Sequence, residues 1–168
     1  MTWYKKKKEK QYTSVENALI KMSQFCAYQE RTQQEVRQKL LDEYILNEDE
    51  REFIIVRLIE ENFLNEERFA KVFAGSKFRV KKWGRRKILQ ALKMKGISEY
   101  CIRAGMKEIE EEDYVATLMR LLDKKMAQSK EKDTYKLKQV LARYAINKGY
   151  EQDLVWEQIK QLLDDAHN

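Results

Sequence analysis

Proline is absent from the 168-residue sequence, and glycine occurs only five times. These two residues most often break helices or form tight turns, so their scarcity leaves few places for a turn-rich β fold. Apolar residues recur at intervals of three and four through most of the chain, as on one face of a helix. The charged fraction is 37%, against roughly 25% in an average soluble domain. Together these features predict an all-α protein with long, solvent-facing helices.

Histidine occurs once, at His167, and no phosphate-binding glycine loop or dinucleotide-binding fingerprint is present. A His-dependent triad or a His-rich metal site is therefore not expected. Acidic runs at 47–52 and 108–113 are candidates for binding Mg²⁺ in a nuclease, but consecutive acids on a helix point in different directions and are typical of helix starts. We predict no catalytic residue, no metal site and no cofactor, and a nuclease is the last alternative.

Cys26 and Cys101 are the only cysteines, and both lie in apolar-periodic segments far apart in the chain. Their spacing predicts buried free thiols rather than a disulfide framework or a metal knuckle, as in a reducing compartment. No run approaches the roughly 18 apolar residues of a membrane span, and the start, MTWYKKKKEK, lacks the apolar core of a secretory signal. We therefore expect a cytoplasmic protein without membrane contact.

The net charge of +6 is unevenly distributed. Residues 71–107 contain twelve Lys and Arg against one acid, Glu99, a balance of +11. Residues 42–68 contain ten acids against three Arg, a balance of −7. Residues 1–13 add a second basic run, and because they lack helical periodicity we expect a flexible tail there.

A weak internal repeat organises the rest of the chain. A shift of 52 residues aligns Val36 with Ile88, and a shift of 53 aligns Gly96 with Gly149. Tandem units of this kind bury their faces partly within themselves and partly against neighbours, so we predict three tandem three-helix units that form an elongated, curved body. The predicted boundaries are 1–13 for the tail and 14–64, 65–110 and 111–168 for the units.

Capping sequences mark several predicted helix starts. Thr13 and Thr32 each precede a glutamate by three residues, which is the spacing of a capping box. Asn65 and Ser98 are also expected as N-caps, because a short polar side chain there can accept a hydrogen bond from the first turn. Gly96 and its repeat equivalent are expected to end helices in the left-handed conformation.

The segment FRVKKWGRRKILQALKMKGIS, residues 78–98, has the densest positive charge. Each cation that neutralises a phosphate releases counterions, so such a cluster favours sequence-independent, salt-sensitive binding of nucleic acid, and the alternative is a solvated helix face. Trp83 can stack on a base or cover a core edge, and core packing is the preferred interpretation. The candidate binding residues are Lys77, Arg79, Lys81, Lys82, Arg85, Arg86 and Lys87.

The segment NEERFAKVFAGSKFRVKKWGRRKILQALKMKGIS, residues 65–98, closely resembles the central unit of the RecX family, bacterial modulators of the RecA recombinase. The resemblance rests on the Arg-Phe-Ala at 68–70, on the basic segment with Gly84, and on the Lys-Gly-Ile turn at 95–97. RTQQEVRQKL and NKGYEQDLVWEQI are similar to the family's first unit and to its closing turn and last helix. The resemblance thus covers most of the chain.

The resemblance implies a non-enzymatic regulatory protein of three-helix units, and we expect a monomer. Members of this family lie in the helical groove of the filament that RecA forms on single-stranded DNA, and they restrain its strand exchange, ATP hydrolysis and assembly. The implied partners are therefore the RecA filament and single-stranded DNA. Two other interpretations stay open: a sequence-independent or helix-turn-helix-like DNA-binding protein that does not act on RecA, and a helical-repeat adaptor for an acidic protein.

Overall fold

The computed structural model describes residues 9–165, and within that range nine α-helices succeed one another in groups of three. The predicted all-α fold of tandem three-helix units is confirmed. The helices are α1 (Val15–Tyr28), α2 (Gln33–Glu43), α3 (Glu48–Glu60), α4 (Glu66–Arg79), α5 (Arg85–Met94), α6 (Glu99–Met106), α7 (Glu111–Gln128), α8 (Thr134–Asn147) and α9 (Gln152–Asp165).

Polar caps and left-handed residues bound these helices largely where the sequence predicted them. Thr32 forms the predicted capping box at the start of α2. Asn65 and Ser98 accept hydrogen bonds from the first turns of α4 and α6. Gly96 and Gly149 follow α5 and α8 with φ values of +73° and +97°, so both helices end in the conformation that glycine adopts without strain.

The chain enters α1 differently from the prediction. Thr13 is not the cap: the Ser14 hydroxyl accepts the hydrogen bond from Asn17 N–H, because the backbone stays extended through Ser14. Upstream, two residues assigned to the tail form β1 (Gln11–Tyr12), which pairs in parallel with β2 (Tyr44–Ile45). Residues 1–8 of the predicted tail, with four of the five lysines of its basic run, lie outside the described residues.

The apolar faces of the helices form two hydrophobic cores. The smaller core joins α1, α2 and α3, with Met22 and Leu40 fully buried in it. The larger core is shared by all six helices from α4 to α9, with Leu92 and Leu122 fully buried in it. The second and third groups of helices therefore share one core, while the first group has its own.

Positions that the internal repeat aligned lie in these cores. The aligned pair Val36 and Ile88 is fully buried, and so is Leu141, the next equivalent position. Cys26 and Cys101 are buried and free, as predicted. Burial raises the pKa of the Cys26 thiol to about 11, so this thiol is neutral at physiological pH and packs as an apolar group.

Candidate nucleic-acid interface

The predicted cations lie at a corner between α4 and α5. α4 ends at Arg79, and a five-residue loop follows whose last residue, Gly84, is the N-cap of α5. Lys82 has a φ of +56°, which turns the loop back toward the second helix. The seven cations therefore occupy the last turn of α4, the loop and the first turn of α5; we call this region the basic corner.

Gly84 packs against a second turn of the chain. Its N–H donates a 2.8 Å hydrogen bond to the Lys148 carbonyl, and Arg86 N–H donates a 3.0 Å hydrogen bond to the Gly149 carbonyl. A Cβ added at Gly84 would lie 2.2 Å from the carbonyl carbon of Gly149. The basic corner is therefore fixed, backbone against backbone, to the turn between α8 and α9.

Two tyrosines hold this contact from the core side. The rings of Tyr114 and Tyr150 stack with centroids 4.9 Å apart. The Tyr114 hydroxyl accepts from Arg85 N–H at 3.0 Å and donates to Glu151 at 2.6 Å, and the Tyr150 hydroxyl donates to the Lys82 carbonyl at 3.2 Å. Burial is the main cause that raises the pKa of both tyrosines, so both hydroxyls keep the proton that they donate.

Arg85 is occupied by partners within the protein. Its guanidinium lies 2.7 Å from the Glu111 carboxylate and 4.1 Å from the centroid of the Tyr114 ring. Its side chain is only 27% exposed. Although the sequence places Arg85 in the centre of the cation cluster, it holds α5 against the start of α7.

Trp83 is half-buried and packs against the larger core, as the preferred interpretation expected. The ammonium groups of Lys77 and Lys87 lie 5.1 and 4.7 Å from the centroid of its ring. Contacts of this length are cation–π interactions, so one aromatic ring orders two of the predicted cations, one from each helix. A base that stacked on Trp83 would have to compete with these lysines.

Lys81 and Arg86 are the predicted cations that are most available to an external partner. Both are exposed, and neither side chain has a hydrogen bond or an ion pair within residues 9–165. Lys82 donates to the Arg79 carbonyl at 2.7 Å, and the Arg79 guanidinium folds back over Gly75. The density of Lys and Arg along the sequence therefore overstated the free positive charge of the corner. No sequence signal distinguished the cations that have partners within the protein from those that do not.

Ion pairs that the sequence did not identify connect the first group of helices to the second. Lys95 lies 2.9 Å from Glu35, and Arg68 lies 2.6 Å from Glu30. Burial acts to raise the pKa of Glu35, but hydrogen bonds from Lys95 and from the Thr32 N–H outweigh it and hold that pKa below its ordinary value. Polar contacts therefore form this junction, in contrast to the backbone contact at Gly84.

The acidic runs begin helices. Asn47 and Glu50 form a capping box at the start of α3, and Glu111 lies in the first turn of α7. In the part of the chain that the structure describes, no three His, Cys, Asp or Glu side chains gather where they could hold a metal ion. In the same part, none of the helices combines the length and the apolarity needed to cross a bilayer.

α6 lies along α4 rather than projecting from the fold as a recognition helix would. Gly105 approaches α4 so closely that an added Cβ would lie 2.7 Å from the Ala70 carbonyl oxygen. Cys101 and Ile102 of α6 are also buried. Because α6 is only eight residues long and one side is packed in this way, the geometry does not favour the helix-turn-helix interpretation.

The second and third groups of helices match known family models. Residues 65–106 match the model described as RecX, second three-helix domain. Residues 111–159 match the model described as RecX, third three-helix domain. Together the two matches cover more than half of the chain.

Curated relatives agree with these models. The regulatory protein RecX of Clostridium perfringens (strain 13 / Type A) is 34% identical over 139 residues, which are 82% of this chain and 64% of the relative. The regulatory protein RecX of Bacillus cytotoxicus is 26% identical over 159 residues, which are 90% of this chain and 57% of the relative. The chain thus spans about three fifths of the length of these relatives.

Two crystal structures have the same fold. RecX from Lactobacillus salivarius superposes with a TM-score of 0.78 at 21% identity, covering 88% of this chain and 96% of that chain. A second structure, described as regulatory protein RecX, superposes with a TM-score of 0.77 at 22% identity, covering 88% and 73%. At these identities the likeness establishes the architecture.

Proposed function

The chain belongs to the RecX family, and on that premise we propose that it is a non-enzymatic regulator that binds the RecA filament on single-stranded DNA and restrains its ATP hydrolysis and strand exchange. Its relatives are named regulatory proteins, not enzymes. The proposal extends that role to this chain, which spans part of the relatives' length.

The observation that carries the proposal is the basic corner. Lys81 and Arg86 are exposed without counter-charges in the described chain, and Lys77 and Lys87 are ordered beside them on Trp83. Cations of this kind neutralise phosphates and displace condensed counterions, which is the main source of sequence-independent binding to nucleic acid. A regulator of a protein filament on DNA needs such sequence independence, because the filament covers any sequence.

The shape of the molecule suits an extended partner. Its helices form successive groups with two separate hydrophobic cores, one in α1 to α3 and one in α4 to α9. Helical groups that follow one another in this way form an elongated body. Such a body presents a long face to a filament rather than a deep pocket to a small molecule.

The test is a charge reversal at the corner that spares Arg85. The corner variant carries Lys81→Glu, Lys82→Glu and Arg86→Glu. A control variant with the same change in net charge carries Lys124→Glu, Lys130→Glu and Lys132→Glu, three lysines of α7 and the loop after it. Each variant and the wild type would be added to preformed RecA filaments, and binding and ATP hydrolysis would be measured across a salt series.

We expect the wild type and the control to bind the filaments and to slow ATP hydrolysis, and the corner variant to do neither. Surface substitutions usually change stability by about ±0.5 kcal/mol each, so circular dichroism should report the same helix content for all three proteins. Binding should weaken with salt by a slope of about −0.7 for each phosphate contact to a single strand. If the corner variant restrains ATP hydrolysis as well as the wild type, the corner is a solvated surface, and the contact must be sought at Lys136, Lys138 and Arg143.

A further inference from the structure

We propose that a groove between α5 and the C-terminal end of α8 holds a stretch of single-stranded nucleic acid, a proposal that rests on the proposed function for its class of ligand. The groove encloses about 540 Å³, and Gly149 forms part of its lining. It opens on the side of α5 that carries Arg86, so it continues the basic corner. Neither Lys81 nor Lys82 lines it, which separates the groove from the loop part of the corner.

The α5 wall of the groove carries positive charge without neutralisation inside the groove. Arg86, Lys87 and Lys93 line it, and no acidic residue does. Arg86 has no side-chain partner within residues 9–165, and the one carboxylate near Lys93 is that of Glu99, 4.0 Å away and largely exposed. Three cations spaced along one side of a helix can contact successive phosphates of a strand that runs beside it.

The remaining lining is suited to bases rather than to phosphates. Gln90 on α5 and Asn147 at the end of α8 each offer an amide, which can donate to and accept from the Watson–Crick edge of an unpaired base. Leu89 and Ile146 provide apolar surface between them. The groove has cations on one wall, and amides and apolar groups on both walls. These groups match the two parts of a single strand, its phosphate backbone and its unpaired bases.

A second groove, at the C-terminal end of α5, provides an internal comparison. It lies between the start of α2 and the end of α5 and encloses about 510 Å³. There Arg37 lies 2.7 Å from Glu52, Lys95 lies 2.9 Å from Glu35, and Glu66 is part of the lining, while Lys93 lines both grooves. Of these two grooves of similar size, the one beside α8 is the one with no acidic residue in its lining, so its charge rather than its concavity distinguishes it.

The geometry of the groove favours a single strand over a duplex. A protein reads duplex DNA by inserting a convex helix or ribbon into a DNA groove, whereas here the protein surface is concave. The backbone contact between Gly84 and Gly149 also fixes α5 relative to the end of α8, so the groove keeps its width when empty. A preformed groove binds without the ordering cost of a flexible one.

The test introduces negative charge into the groove without removing any cation. The groove variant carries Gln90→Glu and Asn147→Asp, which add one carboxylate to each wall. The control variant carries Gln161→Glu and Gln128→Glu. Gln161 lies exposed within a helix like Gln90, and Gln128 is the last residue of α7 as Asn147 is the last residue of α8, so each substitution has the same local effect on a helix in both variants.

The probes are a fluorescent oligothymidylate and an abasic oligomer of the same length, with binding followed by anisotropy. We expect the groove variant to bind oligothymidylate about tenfold more weakly than the wild type, because each carboxylate near a phosphate opposes binding, and we expect the control to bind like the wild type. The wild type should bind the abasic oligomer more weakly than oligothymidylate. Unlabelled polyglutamate should compete poorly.

Equal binding by the groove variant and the wild type would overturn the proposal, and so would equal affinity for the abasic oligomer. Competition by polyglutamate as strong as that by oligothymidylate would identify an acidic peptide as the occupant instead. The filament assay of the proposed function is a separate readout. If the wild type slows ATP hydrolysis by filaments but the groove variant binds oligothymidylate as well as the wild type, the groove alone is refuted. If the wild type binds oligothymidylate but has no effect on filaments, the proposed regulation alone is refuted.

Discussion

Single glycines determine how the basic corner is presented. Gly84 and Gly149 meet backbone to backbone, and the two turns that meet there belong to different groups of helices. Two other glycines differ in kind: Gly105 lets α6 approach the backbone of α4, whereas the nearest neighbour of Gly75 is the flexible end of Arg79. The same residue type therefore has different tolerance for a methyl group at each position.

Gly84→Ala should destabilise the protein by about 1–3 kcal/mol or more, because the new Cβ would lie 2.2 Å from backbone atoms that cannot move independently. Gly75→Ala is the matched control, since the atoms nearest its Cβ belong to the guanidinium of Arg79, which can swing away. Alanine also favours a helix interior over glycine by about 0.5–1 kcal/mol, so the control should be neutral or stabilised. Urea unfolding of both variants would measure this, and a Gly84→Ala protein as stable as wild type would contradict the close contact.

The sequence predicted part of this residue-scale picture. The left-handed turn at Gly149 follows from glycine after an apolar-periodic helix, and the buried cysteines follow from their apolar neighbours. That Gly84 needs to be glycine could not be predicted, because its contact lies at a distant point in the chain. For the same reason Arg85 counted as one more free cation, although its partners Glu111 and Tyr114 are nearly thirty positions away.

At the scale of elements, α5 is the helix that connects the molecule. Its first turn is fixed to the turn after α8, and Lys95, just beyond its end, pairs with Glu35 of α2. Periodicity and caps predicted where most helices begin, because those signals are local. They did not predict that α4 to α9 share one core, since burial between groups depends on which faces meet.

Glu35→Gln should reduce the acid sensitivity of the α2–α5 junction. The pKa of Glu35 is below its ordinary value in the folded protein, so its ionised form contributes stability that is present near neutral pH and is lost as pH falls through that lowered pKa. The variant lacks this contribution throughout, so the difference from wild type should be largest at neutral pH and should shrink below about pH 4.5. Thermal unfolding at a series of pH values would measure the difference.

Glu157→Gln, at an exposed position of α9, is the control for this pH experiment. Its unfolding midpoint should follow the wild type at every pH. If Glu35→Gln and wild type differed by the same amount at pH 3 and pH 7, the ion pair with Lys95 would not contribute to folding.

At the scale of the whole molecule, the succession of helical groups with two separate cores predicts an elongated particle in solution. A compact globule of 168 residues has a radius of gyration of about 15 Å. X-ray scattering from a dilute, monodisperse sample should give a clearly larger value, with a maximum dimension that exceeds that of a sphere of equal mass. A radius of gyration of about 15 Å would mean that the helical groups fold back on one another.

The two cores predict that the molecule unfolds in two steps. The core of α1 to α3 is small, and burial of so few residues supports only marginal stability, whereas α4 to α9 share a larger core. The ion pairs Lys95–Glu35 and Arg68–Glu30 link the two bodies, and contacts of that kind transmit little cooperativity. Native-state hydrogen exchange should therefore show lower opening free energies for α1 to α3 than for the rest.

Matched core substitutions would decide whether the two bodies open independently. Leu40→Ala and Leu122→Ala each remove a fully buried leucine, one from each core, at an expected cost of about 2–5 kcal/mol. Leu40→Ala should lower the opening free energies in α1 to α3 and leave those of α7 to α9 unchanged. Leu122→Ala should lower those of α4 to α9, where both the basic corner and the groove beside α8 lie. Every proposed ligand contact is on the larger body, so the Leu40→Ala variant should also keep its affinity for oligothymidylate. If either substitution lowered the opening free energies in both bodies, the two bodies would fold as one unit.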